Sequence, residues 1–144
     1  MKKITLVIGI ILVIVVILGM YFLFLNPNRK TATNFTIQGM RVQVLQQGKG
    51  IEARGGDMVT VNDETWVNGV KIYSAIDNHS PTHFELRASN TTEGFYLGIV
   101  GMKIGEKRRL TIPPELAYGS AGFPQSNIPP NATMTVEVEL LKIN

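Results

Sequence analysis

The chain has 144 residues, a formal net charge of +3 and no cysteine. Without cysteine it can form no disulfide framework and can carry no lipid on a cysteine after an apolar segment. The positive charge does not indicate nucleic-acid binding, because four of the basic residues flank an apolar amino-terminal segment. From Arg41 onward, ten Lys and Arg stand against eleven Asp and Glu, a net charge of −1.

The amino-terminal segment predicts a membrane anchor over residues 1–25. Ile4 through Leu25 is a run of 22 residues without a charge. As a helix it spans roughly 33 Å, which is enough to cross a bilayer. No small-residue cleavage pattern follows, so an uncleaved anchor is favoured over a removed signal. The flanking basic residues give a slight bias toward a cytoplasmic amino terminus. We therefore expect a single-pass membrane protein whose carboxyl-terminal domain lies outside the cytoplasm.

The rest of the chain divides into a linker and one domain. Residues 26–39 are polar, contain Pro, Asn and Thr, and show no period, which is typical of a linker. Residues 40–144 suit a single small domain.

Alternation of apolar and polar residues predicts that this domain is mostly half-buried antiparallel strands. The residues that share an apolar face are Val42 and Val44, Val59 and Val61, Leu110 and Ile112, and Met134, Val136, Val138 and Leu140. Asn68-Gly69 lies between two apolar groups and predicts a tight hairpin turn.

Only one segment, Glu93 through Val100, has a helical pattern. Phe95 and Ile99 lie four residues apart on one side, and Asn90 or Thr92 can cap the start. A helix of two turns is unstable alone in water, so we expect its Phe95 face to pack on the sheet. The predicted fold class is α+β, a bent antiparallel sheet wrapped around one short α-helix and preceded by a transmembrane helix.

Three groups of polar residues are candidate sites of other kinds. Lys107-Arg108-Arg109 is the one basic cluster of the domain, and in an alternating strand two of its three side chains share a face, which we interpret as solvated. Asp63 and Glu64 are adjacent in a strand and point to opposite faces, so a solvated strand end is favoured over a hydrolase's acid and base. His79 and His83 lack a third ligand, so no metal site is expected, and no dinucleotide fingerprint is present.

The last third of the chain carries a long motif. Its parts are Gly101-Met102, Gly105, Leu110, Ile112-Pro113 and Ala117-Tyr118-Gly119, followed by Ile128-Pro129-Pro130-Asn131-Ala132-Thr133. This motif resembles the FKBP family of peptidyl-prolyl cis-trans isomerases, and the resemblance covers nearly all of Arg41 to Asn144. It implies a sheet around the short helix, with an apolar cleft between them that takes a proline ring. It also implies rotation about X–Pro amides, proline-containing polypeptides as partners, and no cofactor.

The same resemblance implies three catalytic residues. Tyr118 matches the Tyr whose hydroxyl points into the family cleft, and Ile128 matches the Ile whose backbone N–H holds the substrate carbonyl. Phe95 replaces the Trp at the floor, which keeps an aromatic plate. The substrate-binding positions carried over from the family are Ile72, Tyr73, Phe84, Thr91, Thr92, Phe123, Val136 and Asn62.

Several of these positions depart from the family pattern. Asn62 stands for a Tyr, Ile72-Tyr73 for a Phe-Asp pair, Thr82 for a Phe, and Thr91-Thr92 for Val-Ile, so apolar walls and one acidic group are lost. Two hypotheses stay open: a membrane-anchored isomerase for proteins that fold outside the cytoplasm, and a non-catalytic binding or chaperone module on the same fold. Rotation requires no nucleophile or proton transfer, so the missing acid does not decide between them.

Overall fold

The computed structural model of the protein describes residues 13–18, 20 and 33–144. Residues 13–18 and 20 are helical, with exposed side chains. Among the residues described, no helix is both long and apolar enough to span a bilayer. The greater part of the predicted anchor, residues 1–25, and the first half of the predicted linker, residues 26–39, lie outside the described residues.

Residues 33–144 form nine strands and one α-helix, which confirms the predicted antiparallel sheet with one short helix. In chain order the elements are β1 (Asn34–Ile37), β2 (Met40–Gln46), β3 (Lys49–Glu52), β4 (Met58–Val67), β5 (Val70–Ser74), β6 (Thr82–Glu85), α1 (Glu93–Ile99), β7 (Lys103–Ile104), β8 (Lys107–Ile112) and β9 (Met134–Ile143). The main sheet has the order β1-β2-β8-β9-β4-β5, and β6 also pairs with β4. Strands β3 and β7 form a separate small sheet.

The first strand lies inside the segment that the sequence predicts as a linker. β1 pairs antiparallel with β2 across a turn at Gln38 and Gly39, whose φ angles are 46° and 86°. The side chains of β1 are mostly exposed, so this segment lacks the buried alternation that identifies the other strands. The folded domain therefore begins near residue 33 rather than at residue 40.

Strand β4 divides its outer edge between two partners. The stretch from Glu64 to Val67 pairs with β5 across the predicted turn at Asn68 and Gly69, where both φ angles are positive, as a type I′ turn requires. The stretch from Met58 to Val61 pairs with β6 instead. Asn62 and Asp63 lie between these two stretches and pair with neither β5 nor β6.

Helix α1 lies very close to the inner face of the sheet. A Cβ atom at Gly94 would overlap the side chain of Ile112, and one at Gly98 would overlap Leu110. The two glycines therefore permit a close contact between α1 and β8, and any larger residue at either position would push the helix away from the strand. This contact buries Ile99 completely and sets the height of Phe95 above the sheet.

Two side chains of the Lys107-Arg108-Arg109 cluster share the outer face of β8, as the alternation predicts, and the third, Arg108, is buried. Alternate residues of β8 point inward, and Arg108 is the inward member of the three. Lys107 and Arg109 lie on the outer face, where both pair with Glu137. The alternation correctly predicted that two of the three side chains share the solvated face. It did not predict that Arg108 is buried, because a charged side chain is normally exposed.

The Arg108 guanidinium stabilises the carboxyl end of α1. Its Nε donates to Glu106 at 2.6 Å, and its two Nη groups donate to three carbonyl oxygens at 3.0–3.3 Å. Those carbonyls belong to Gly98, Val100 and Gly101, where the helix ends without a basic residue in its last turn. The Phe35 ring of β1 lies 5.7 Å from the guanidinium carbon.

We expect Arg108→Ala to lower the free energy of unfolding by about 3–5 kcal/mol, because it leaves the Glu106 carboxylate buried without its partner. The measurement is urea unfolding of the full chain, followed by fluorescence of Trp66, the one tryptophan of the chain. Arg109→Ala is the matched control, since an exposed ion pair is worth about 0–1 kcal/mol. Equal losses in the two variants would contradict this account of Arg108.

Candidate active site

A cavity of about 460 Å³ opens between α1, the β4–β5 hairpin and the loop that follows Tyr118. This volume is within the range of about 300–1,000 Å³ that is typical of small-ligand sites. The residues that line it are Asp63, Thr65, Ile72, Tyr73, Thr91, Thr92, Phe95, Tyr118, Gln125, Ser126, Asn127, Ile128, Met134 and Val136.

The floor of the cavity is apolar. Phe95 comes from α1, and Met134 and Val136 come from alternate, buried positions of β9. Phe84 of β6 stacks with Phe95, with ring centroids 6.0 Å apart and planes inclined by 24°. Phe84 therefore supports the floor from behind and does not line the cavity.

The loop wall is held by an aromatic stack and a small β-bridge. The rings of Tyr118 and Phe123 stack at 5.1 Å, nearly parallel. Phe123 and Ile128 exchange two backbone hydrogen bonds, of 2.8 and 3.1 Å. In the second of these, the N–H of Ile128 donates to the Phe123 carbonyl. The expected role of that N–H, holding a substrate carbonyl, is therefore not available in this structure, and Ile128 contributes its buried side chain instead.

A backbone donor is available on the opposite wall, just before α1. Thr91 and Thr92 line the cavity, and Thr92 has extended backbone with φ −68° and ψ 148°. Within residues 33–144 the N–H of Thr92 has no hydrogen-bond acceptor. A carbonyl oxygen bound in the cavity can therefore be held at Thr92 rather than at Ile128.

The hairpin wall brings a carboxylate to the cavity. Asp63 is 8% exposed, and its Oδ1 accepts a hydrogen bond from the Thr82 hydroxyl at 2.9 Å. The hydroxyl oxygens of Thr82 and Tyr73 are 3.2 Å apart. Because Thr82 donates its one proton to Asp63, Tyr73 must donate to Thr82. Burial raises the pKa of Asp63 above its ordinary value, and the hydrogen bond from Thr82 opposes that shift.

Asp63 is the site residue that the sequence argument missed. The family's Phe-Asp pair stands here as Ile72-Tyr73, which predicts loss of the acid. The structure shows that an acid reaches the cavity from the neighbouring strand, while Tyr73 supplies a hydroxyl from β5. The signal was in the alternation, because buried residues of β4 recur at every second position from Val61, and Asp63 is one of them.

Eight of the eleven predicted site residues lie on the cavity. They are Tyr118, Ile128, Phe95, Ile72, Tyr73, Thr91, Thr92 and Val136. Phe84 and Phe123 do not line it, but each stacks on a lining aromatic ring. Asn62 is not on the cavity, because it is the neighbour of Asp63 in a strand and so points to the other face. The lining residues that were not predicted are Asp63, Thr65, Gln125, Ser126, Asn127 and Met134.

The two histidines do not contribute to this site. His83 is 2.8 Å from the Thr60 hydroxyl through its Nδ1, and His79 lies in the turn after β5. Among the residues described, no three His, Asp or Glu side chains are placed to hold a metal ion. What the cavity offers is an apolar floor with hydroxyl, carboxylate and amide groups at its edge, which suits binding of an uncharged ring with its adjoining amides.

Comparison with known proteins agrees with this geometry. Residues 49–141 match the family model described as FKBP-type peptidyl-prolyl cis-trans isomerase. The chain is 42% identical over 106 residues to the FK506-binding protein of Neisseria meningitidis serogroup B, a match that covers 73% of this chain and 96% of the relative. FK506-binding protein 1 of Saccharomyces cerevisiae is 44% identical over 90 residues, covering 62% of this chain and 78% of that protein.

A solved structure shows the same fold. The crystal structure of FkpA from Escherichia coli superposes with a TM-score of 0.71 at 33% identity. The superposition covers 88% of this chain but 57% of FkpA, so it spans little more than half of that protein. Residues 49–141 are more than half of the chain, and the Neisseria meningitidis relative is aligned over 96% of its length. The chain therefore belongs to the FKBP-type peptidyl-prolyl cis-trans isomerases.

Proposed function

We propose that this isomerase acts on X–Pro bonds of proteins that fold outside the cytoplasm, and that the cavity above Phe95 binds the proline ring. Uncatalysed X–Pro isomerisation takes tens to hundreds of seconds, slow enough to limit folding. The observation that carries the proposal is the apolar floor of Phe95, Met134 and Val136, with the side chain of Ile128 in the wall beside it. Those side chains form an apolar surface of the kind that a proline ring fits.

The apolar floor also accounts for rate acceleration. The amide barrier is about 18–20 kcal/mol, and an enzyme lowers it by binding the twisted amide better than either planar form. A twisted amide has lost conjugation and is less polar than a planar one. Apolar surroundings such as Phe95, Met134 and Val136 therefore disfavour the planar forms more than the twisted one.

The N–H of Thr92 favours isomerisation most if it donates to a substrate carbonyl next to the rotating X–Pro amide. A donor on the rotating carbonyl itself would favour the planar amide, in which the oxygen is more negative. On a neighbouring carbonyl it anchors one side of the proline while the other side turns. Thr92 and the floor together therefore fix the ring without opposing the rotation.

The ionised Asp63 carboxylate also favours the twisted amide over the planar one. Its negative charge repels the carbonyl oxygen of a planar X–Pro amide more than that of a twisted one. The chain of hydroxyls from Tyr73 through Thr82 keeps the carboxylate oriented toward the cavity wall. We assign Asp63 the role of destabilising the planar substrate.

Replacement of Tyr118 and Phe95, two of the three aromatic residues that line the cavity, tests the isomerase itself. We expect the full chain to accelerate cis–trans exchange of Xaa-Pro peptides, measured by NMR exchange spectroscopy, and the double variant Tyr118→Phe, Phe95→Ala to lose about tenfold or more. Burying an apolar side chain is worth about 1.5–3 kcal/mol, and tenfold in rate is about 1.4 kcal/mol.

A folded chain that accelerates no peptide would instead support the second candidate, a binding or chaperone module. The observation that favours this candidate is the polar wall formed by Thr91 and Thr92, where the family pattern has Val-Ile. Circular dichroism of the same samples distinguishes an inactive fold from an unfolded chain.

Asp63→Asn is expected to lower activity and raise stability. The amide keeps the shape and still accepts from Thr82, but it removes the charge, so we expect kcat/KM at pH 7 to fall about tenfold, or about 1.4 kcal/mol. Wild-type activity should rise with pH through the raised pKa of Asp63, and the variant should lack that step. Asp77→Asn, an exposed carboxylate outside the cavity, is the control.

The stability change follows from the sign of the same pKa shift. A carboxyl whose pKa is raised on folding contributes stability that is complete below its unfolded pKa and is lost as pH rises through its folded pKa. The variant has no such loss, so its Tm should exceed that of the wild type at pH 7, and the difference should vanish in acid. An unchanged kcat/KM would remove the carboxylate from the mechanism.

The uncharged run from Ile4 to Leu25 supports the proposal of a membrane-anchored enzyme whose domain faces out of the cytoplasm. Because the chain has no cysteine, Gln47→Cys places a single thiol in an exposed loop of the domain. We expect the variant to sediment with membranes and to react with an impermeant maleimide in intact spheroplasts. Labelling only after lysis would reverse the orientation, and recovery in the soluble fraction would overturn the anchor.

A further inference from the structure

A second depression, of about 580 Å³, adjoins the cavity and shares three lining residues with it. We call it the hairpin groove, because the tip of the β4–β5 hairpin forms one side and the segment 124–130 forms the other. Its apolar wall residues are Val70, Ile72, Pro124, Ile128, Pro129 and Pro130. Ile72 and Ile128, with Asn127, line both the groove and the cavity.

The groove is apolar and uncharged although it lies on the surface. Val70 is 64% exposed, and none of the residues that line the groove carries a charge. Lys71, the neighbour of Val70, is turned elsewhere: its Nζ is 2.7 Å from Glu64 and lies over the Trp66 ring at 5.7 Å. The exposed apolar side chains of the groove do not pack in the core. A contiguous apolar surface of this kind indicates a binding site for another molecule.

Both sides of the groove are preformed. The two hydrogen bonds between Phe123 and Ile128 close the loop wall, and the rings of Pro129 and Pro130 fix their own φ angles. The hairpin side ends in a two-residue turn with both φ angles positive. A site that is already ordered loses little conformational entropy on binding.

The lining residues that the groove shares with the cavity indicate that both contact the same bound polypeptide. A polypeptide whose proline ring sits above Phe95 must continue beyond Ile72 and Ile128. In an extended chain, a side chain two or three residues from the proline lies roughly 7–11 Å away. Proline walls have no N–H to donate, so the groove suits an apolar side chain rather than a charge or a peptide group.

We propose that the hairpin groove is a specificity subsite, which binds an apolar side chain two or three residues from the proline of a polypeptide substrate, with Val70 as a specificity-determining residue. The proposal rests on the proposed function, since it requires the substrate's proline to occupy the cavity. It adds a sequence preference to that function: X–Pro bonds within apolar segments, such as those that unfolded proteins expose, react faster.

The test uses the full chain and a host peptide with the sequence acetyl-Gly-Gly-Gly-Ala-Pro-Gly-Gly-Gly-amide. Leu or Asp replaces one glycine at the second or third residue on either side of the proline. NMR exchange spectroscopy measures kcat/KM for cis–trans exchange, and NMR titration measures Kd. The readout is the ratio of each Leu peptide to the host within one protein, for the wild type, Val70→Asp and Ile51→Asp.

We expect Leu at one or more positions to raise kcat/KM or tighten Kd about threefold to tenfold, and Asp to do neither. An open groove recovers only part of the roughly tenfold or more that full burial of a Leu is worth. Val70→Asp should return the ratio to about one. Ile51→Asp should keep it, because Ile51 is equally exposed, at 68%, but lies on β3 and lines neither the groove nor the cavity.

The outcomes separate the groove from the isomerase activity. If the protein accelerates the host peptide without a preference for Leu, or if the preference persists in Val70→Asp, the proposed subsite is wrong. The proposed isomerase activity is then still supported. Preferential binding of a Leu peptide that Val70→Asp abolishes, without acceleration of any peptide, supports the groove and overturns the isomerase. Neither binding nor acceleration overturns both.

Discussion

The contact between α1 and the sheet is the constraint on which the site depends. A helix of seven residues has too few internal hydrogen bonds to be stable in water. Here Gly94 and Gly98 let its backbone approach the side chains of β8 directly, and Arg108 satisfies the carbonyls at its end. The height and tilt of Phe95, and so the floor of the cavity, follow from that contact rather than from the helix's own propensity.

The acidic group of the cavity shows how a site can keep a chemical character while its residues change places. The motif positions on β5 carry Ile72 and Tyr73, with no carboxylate. Asp63 on β4 supplies one, and Thr82, where the family pattern has a Phe, connects it to Tyr73 by hydrogen bonds. Substitutions that look like separate losses therefore form one network, since each polar group is the partner of another.

A buried carboxylate lowers the stability of the fold. Such a residue is therefore found mostly at functional sites, where its chemistry is needed. Asp63 has its pKa raised by burial and has only the Thr82 hydroxyl to compensate. A purely structural residue at that position of β4 would be apolar, as Val61 and Val67 are. The domain thus accepts a local loss of stability beside a floor that is otherwise close-packed and apolar.

The sequence by itself determined the strands with clear alternation, the Asn68-Gly69 turn, the helix from Glu93 and the family motif after Gly101, because these depend on neighbours along the chain. It did not predict β1, whose exposed side chains lack a period, or the inward direction of Arg108, whose charge suggested solvent.

Only the tertiary structure decided which groups meet. The Ile128 N–H donates within its own loop, and that of Thr92 has no acceptor among residues 33–144. Asp63 lies beside Thr82, which is 19 residues away along the chain. Hydrogen-bond partners and burial depend on elements that are distant in sequence and adjacent only after folding. For that reason the motif predicted most of the cavity's residues, while the roles of its polar groups required the fold.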